Sequence, residues 1–174
     1  MRRRHLLPAL LVLASLNAAA AAADPARKPA PATEACLAEA GSDEARRACI
    51  GESARACRAA LRKPDPVDAA LCLNTETGWW RKRLAEAEER MAAKAARLDA
   101  LHGKAIAEGA PRLTDDLAAL REAWKEWAEK RCAFEAMLKR GAPERMIVAS
   151  ECILQLTADQ TLLLDRGAGS RRSQ

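Results

Sequence analysis

Tyrosine is missing from this 174-residue chain, phenylalanine occurs once, and aromatic residues make up 3% of it. Runs of β-branched and aromatic residues are correspondingly scarce, which argues against sheet. Only two histidines occur, His5 and His102. A His-dependent nucleophilic triad or a His-rich metal site has too few members to be built, and His102, on a charged helical stretch, reads as a solvated side chain. No Cys-x-x-Cys is present, which weighs against a thioredoxin-like redox motif and against common zinc-ribbon spacing. Glycine-rich phosphate loops, nucleophile elbows and calcium-loop patterns are also missing. Glu86, Glu88 and Glu89 stand close in sequence, but they point to different sides of one helix among Lys82, Arg83 and Arg90. That pattern describes a salt-bridging face rather than an acid/base pair. No catalytic residue, cofactor or metal site is assigned, and the chain is read as a non-enzyme.

Excess charge of one sign is lacking as well, once the ends are set aside. The whole chain carries 29 Lys and Arg against 24 Asp and Glu, a net of +5. Arg2, Arg3 and Arg4 precede an apolar stretch from Leu6 to Leu16 and an alanine run ending at Ala23, the layout of a secretory signal peptide spanning residues 1–23. The competing reading, a retained membrane anchor, is disfavoured by the short Leu-rich part. Removing those three arginines leaves 26 basic residues against 24 acidic, and no electrostatic footprint for nucleic acid remains. No cysteine adjoins the cleavage site, so no lipid anchor and no stable membrane insertion are expected after cleavage. Residues 24–33, rich in Ala and Pro, read as a flexible leader. Residues 34–165 form a single domain, and the basic end 166–174 reads as a disordered tail. The expected location is the periplasm or the medium.

What the chain has in abundance is Ala, Leu, Arg and Glu at helical spacing, and six cysteines. Five helices are expected: 34–40, 43–62, 66–108, 114–140 and 143–165. Thr114 is the expected N-cap of the fourth, with Asp115 and Asp116 in its first turn. On the third, Trp80, Leu84, Ala87, Met91, Leu98, Leu101 and Ala105 form an apolar stripe. On the fourth, Leu117, Leu120, Trp124, Trp127, Phe134 and Leu138 do the same, with Arg131 in register laying its stem along the core. On the fifth, Ile147, Val148, Cys152, Leu156 and Leu163 face inward. The tryptophans are read as core residues rather than a ligand cage. The fold class is all-α, a bundle of two long helices and a C-terminal helix with an N-terminal helical hairpin.

The cysteines fall into pairs centred on helix breakers. Cys36 and Cys49 bracket Gly41-Ser42-Asp43, Cys57 and Cys72 bracket Lys63-Pro64-Asp65-Pro66, and Cys132 and Cys152 bracket Gly141-Ala142-Pro143. Equal offsets on either side of a bend set two residues at one height along antiparallel helices, where a disulfide closes. Symmetry thus selects Cys36–Cys49, Cys57–Cys72 and Cys132–Cys152 from fifteen connectivities. Export favours oxidised over reduced cysteines.

The order Leu120-x-x-x-Trp124-x-x-Trp127-x-x-x-x-Cys132-x-Phe134-Glu135, a Gly-containing bend, then Cys152-x-x-x-x-Thr157 and Leu163, resembles the LprI-like lysozyme inhibitor family of secreted bacterial proteins. Upstream, Cys49-Ile50-Gly51, Cys57, Cys72-Leu73, Glu76, Trp79, Trp80 and Leu84 extend the resemblance over roughly residues 36–165. It implies a helical extracytoplasmic domain that inhibits lysozyme, without catalysis or cofactor, and supports the Cys132–Cys152 pairing. The family motif residues here are Leu120, Trp124, Trp127, Phe134 and Thr157. The chain departs from the family's usual polar residues at Ala85, Glu88, Arg121, Ala128-Glu129 and Gln160, so no inhibitory contact residue is carried over. The expected partner is a lysozyme. The alternative is a structural envelope module that binds peptidoglycan or another envelope protein. Oligomeric state is left open.

Overall fold

The structure, a computed structural model, describes residues 30–63 and 65–169. The signal peptide, most of the leader, Pro64 and the last five residues lie outside these described residues. Seven helical segments follow one another: α1 (Pro31–Glu39), α2 (Asp43–Ala48), α3 (Glu52–Ala59), α4 (Pro66–Leu101), α5 (Gly103–Ala107), α6 (Leu113–Met137) and α7 (Arg145–Ala168). No strand occurs among the described residues. The architecture is the all-α bundle expected, with α4, α6 and α7 as its body and α1–α3 laid along α4 and α7.

Local chemistry explains two of the helix starts. Ser42 caps α2 by accepting the Ala45 N–H at 3.1 Å, and Asp65 caps α4 by accepting the Asp68 N–H at 2.8 Å, with Pro66 at the first helical position. The 36 residues of α4 make a rod about 54 Å long. Its most extensive contact is with α7, which also packs on α6. By length and composition α7 would suffice to cross a membrane. In this fold it is the core helix, with Leu154, Leu156, Thr157, Ala158, Gln160, Thr161 and Leu164 buried along it.

Several boundaries differ from the sequence reading, each for a definable reason. The helix expected over 43–62 is two helices, because Gly51 takes φ +87° and breaks it; only glycine accepts this conformation cheaply. The third helix ends at Leu101 instead of Glu108, with His102 starting the separate turn α5. The last one runs to Ala168, past Gly167, and stops at Gly169, whose φ is +73°. Arg166 is therefore helical, and it pairs with Asp43 at 2.8 Å rather than belonging to a loose tail. The leader's final residues are folded as well: Ala30 and Thr33 are fully buried and α1 starts at Pro31.

Three disulfides tie the elements together. Cys36–Cys49 joins α1 to the end of α2, Cys57–Cys72 joins α3 to α4, and Cys132–Cys152 joins α6 to α7, with Cα separations of 5.6, 5.7 and 5.5 Å. Beside them sit three apolar clusters. The first holds Ile50, Ala54, Leu73, Trp80, Leu154 and Ala158. The second holds Ala128, Cys132, Cys152 and Leu156. The third holds Leu84, Ala87 and Leu164.

The inward faces need correction. The stripe expected on the third helix is buried from Trp80 to Ala87, half-buried at Met91 and Leu98, and exposed at Leu101 and, in α5, at Ala105. On α7 Leu163 is exposed while its neighbour Leu164 is buried. The largest difference is on α6. Its buried residues are Ala128, Cys132 and Ala136, while Leu120, Trp127, Phe134 and Leu138 are 54%, 49%, 66% and 69% exposed. Cys132 must face Cys152, so its neighbours one turn away, Ala128 and Ala136, share that face. Phe134, two positions on, points away from it. Small side chains let α6 approach α7 closely enough for the bridge.

Candidate binding surface

A buried carboxylate anchors the N-terminal elements. Glu76, on α4 one turn before Trp80, is 1% exposed. Its Oε1 accepts the Thr33 hydroxyl at 2.8 Å, the Gly51 N–H at 2.8 Å and the Trp80 Nε1–H at 3.1 Å, and its Oε2 accepts the Ala54 N–H at 2.8 Å. Thr33 and Ser53 close the network: Ser53 Oγ accepts the Thr33 N–H and Thr33 Oγ1 accepts the Ser53 N–H. Glu76 thus takes the Gly51 and Ala54 N–H groups at the start of α3 while Thr33 takes that of Ser53, and the network locks α1, α3 and α4 together. Composition did not announce this role. The available signal was an acidic residue on the same stripe as Trp80, Leu84 and Ala87.

A second carboxylate organises the other end. The expected cap at Thr114 does not form; α6 starts one residue earlier, after Arg112, without a side-chain cap of its own. Asp99, on α4, takes over by accepting the N–H groups of Leu113 (2.9 Å) and Thr114 (3.1 Å) and the Thr114 hydroxyl (2.8 Å). Burial pushes the Asp99 carboxyl up, but these three hydrogen bonds and the Arg112 charge outweigh it, so its pKa lies below the usual carboxylate range.

Between these anchors, α4, α6 and α7 enclose two neighbouring hollows. One, of about 270 Å³, has Ala85, Glu89, Leu117 and Gln160 in its wall. The other, of about 380 Å³, has Arg81, Lys125, Glu129 and Thr157. Glu88 and Arg121 line both, and their ion pair, 3.2 Å long, runs from α4 to α6 between them. The positions at which the chain departs from the family's usual polar residues, Ala85, Glu88, Arg121, Ala128-Glu129 and Gln160, all border these hollows. The charged cluster on α4 is therefore less solvated than its sequence suggests. Glu88 pairs across to α6, and Arg90 and Arg83 reach Asp165, a 5% exposed residue of α7. Arg83 also lies over the Trp79 ring, 4.9 Å from its centroid.

The motif residues separate into two groups. Trp124 and Thr157 line the second hollow, Thr157 buried and donating its hydroxyl to the Ile153 carbonyl at 2.6 Å. Trp127 and Phe134 face outward on α6, and Leu120 lies at the edge of the first hollow. Of the tryptophans, Trp80 is fully buried and Trp79 and Trp124 are half-buried. Trp127 stands at the surface with the Arg131 guanidinium 5.3 Å from its ring centroid. His102 is exposed. Among the described residues no three His, Cys, Asp or Glu side chains come together to hold a metal ion.

The arrangement is that of a stapled scaffold with a cleft lined by both charged and apolar side chains and an apolar outer stripe. Comparison with known proteins fits this picture. An uncharacterized 17.7 kDa protein in the puhA 5' region of Rhodobacter capsulatus is 51% identical over 136 residues, spanning 78% of this chain and 84% of that protein. No solved structure matches the chain. The family model described as Lysozyme inhibitor LprI matches residues 57–164, the stretch from the end of α3 through α7 that holds both hollows and the Cys132–Cys152 bridge. The chain belongs to the lysozyme inhibitor LprI family.

Proposed function

We propose that this protein is an exported, non-enzymatic binding protein that shields peptidoglycan by occluding a lysozyme. The observation that carries the reading is the family match across α4, α6 and α7. Lysozymes act with a carboxylate pair in an open cleft. A partner that blocks such a cleft needs a surface that does not lose much conformational freedom on docking. Three disulfides and the buried Glu76 and Asp99 networks hold the helices of this protein in that state. Lys125, at the edge of the second hollow beside the Arg121–Glu88 pair, offers a cationic group to an acidic cleft.

Export through the residue 1–23 signal is part of the same proposal. It is supported by the Arg2-Arg3-Arg4 start, the apolar run and the three disulfides. Titrating the purified oxidised protein against several lysozymes, with lysis rate as the readout, tests the function. Slower lysis with a complex at micromolar concentration is expected. Unchanged lysis and no complex with every lysozyme tried would refute it, and retention on isolated peptidoglycan would point to an envelope-binding module in its place. N-terminal sequencing of the periplasmic protein tests export, with Asp24 as the expected first residue.

A further inference from the structure

The outward stripe of α6 has a regular spacing. Leu113, Leu120, Trp127 and Phe134 are each seven residues apart, and all are 44–66% exposed. Leu138 and Met137, at 69% and 41%, extend the patch at its end. An isolated surface helix does not require this period. A seven-residue repeat keeps an apolar seam facing one partner helix as the two supercoil. The six side chains together present on the order of 600 Å² of apolar surface, at the top of what a monomer usually exposes.

A second heptad column runs beside the seam: Asp116, Ala123, Lys130 and Met137. Asp116 and Lys130 lie at equal distances on either side of Ala123. Two copies of α6 laid antiparallel about Ala123 bring each Asp116 to the partner's Lys130, while the small Ala123 side chains permit close approach at the crossing. A parallel pair would instead set Asp116 against Asp116 and Lys130 against Lys130. Lys130 now pairs with Glu126 within its own helix at 2.5 Å, both side chains well exposed. Such a pair is weak enough to exchange partners easily.

We propose that this face is a self-association surface, and that the protein forms a two-fold dimer through antiparallel pairing of α6. The area hidden across both copies is at most about 1,200 Å², the lower end of specific interfaces. That size fits a weak, reversible dimer. The closed two-fold geometry uses the same patch on both chains, so association stops at two.

Sedimentation velocity of the oxidised protein from about 1 to 200 µM tests this. The expected result is a concentration-dependent shift from monomer to twice the monomer mass. Trp127→Glu should weaken the dimer at least about tenfold with an unchanged circular-dichroism spectrum, since Trp127 lies outside the core. Asp116→Lys and Lys130→Asp should each weaken it several-fold, and the double exchange should restore it. A monomer at every concentration, or a dimer indifferent to Trp127→Glu, overturns the surface. A double exchange that fails to restore association overturns the antiparallel register. A monomer whose α6 face is protected from hydroxyl-radical labelling only when a lysozyme is added overturns self-association in favour of that other occupant.

Discussion

Two carboxylates do the most specific structural work in the molecule, and both act across elements. Glu76 holds four donors from α1, α3 and α4. Replacing it by the isosteric Gln removes the charge and turns one acceptor oxygen into a donor among donors. Glu76→Gln is expected to lower stability by about 2–4 kcal/mol, read as a reduced urea midpoint with an unchanged slope. Asp99 acts through its depressed pKa. Its folded value lies below the unfolded one, so its contribution is complete above the unfolded carboxylate pKa, near about 4. It is lost as pH falls through the still lower folded value. Asp99→Ala is accordingly expected to lower the melting temperature at neutral pH, and the difference from the parent should shrink as the solution is acidified below about pH 4. Gly51 marks a third critical position. Any side chain there must adopt φ +87°, and its Cβ would stand 3.0 Å from the Arg55 Nη1. Gly51→Ala should cost about 1–2 kcal/mol, checked by the same denaturant titration.

At the scale of elements, the bridges differ in what they hold. Cys132–Cys152 closes the longest separation, 20 residues, and joins two core helices whose facing residues are small. Removing it with Cys132→Ala and Cys152→Ala together is expected to cost about 3–4 kcal/mol. The corresponding loss at Cys36–Cys49, which closes 13 residues at the periphery, should be smaller; thermal melts of the two double variants decide the order. The element pattern also shows what sequence could and could not reveal. Helix identity was legible because Ala, Leu, Glu and Arg dominate and because Pro and Gly mark the bends. The inward face of α6 was not, since large apolar residues there form a lateral stripe while alanines make the core contact. The fixed point was Cys132, whose need to reach α7 sets the helix rotation; Phe134 cannot share its face. The split at Gly51 and the capping of α6 from α4 depend on contacts distant in sequence, which local propensity does not encode. For the same reason the cleft was readable only as scattered positions. Ala85, Glu88, Arg121 and Gln160 come from three helices and meet only after folding.

At the scale of the whole molecule, ion pairs reach from the peripheral helices to the bundle. Arg47–Asp159, Arg58–Glu151 and Asp43–Arg166 run from α2 and α3 to α7. These pairs are largely exposed, so each contributes little and is screened by salt. Raising the salt concentration should therefore leave the melting temperature nearly unchanged.

The disulfide order has a consequence for how the protein is made. Each cysteine is bonded to the next one along the chain: first to second, third to fourth, fifth to sixth. An oxidant that joins thiols in their order of emergence during translocation would produce the native set without proofreading. Maturation should then need an oxidase and no isomerase, and yield in cells lacking a disulfide isomerase should equal that in cells possessing one.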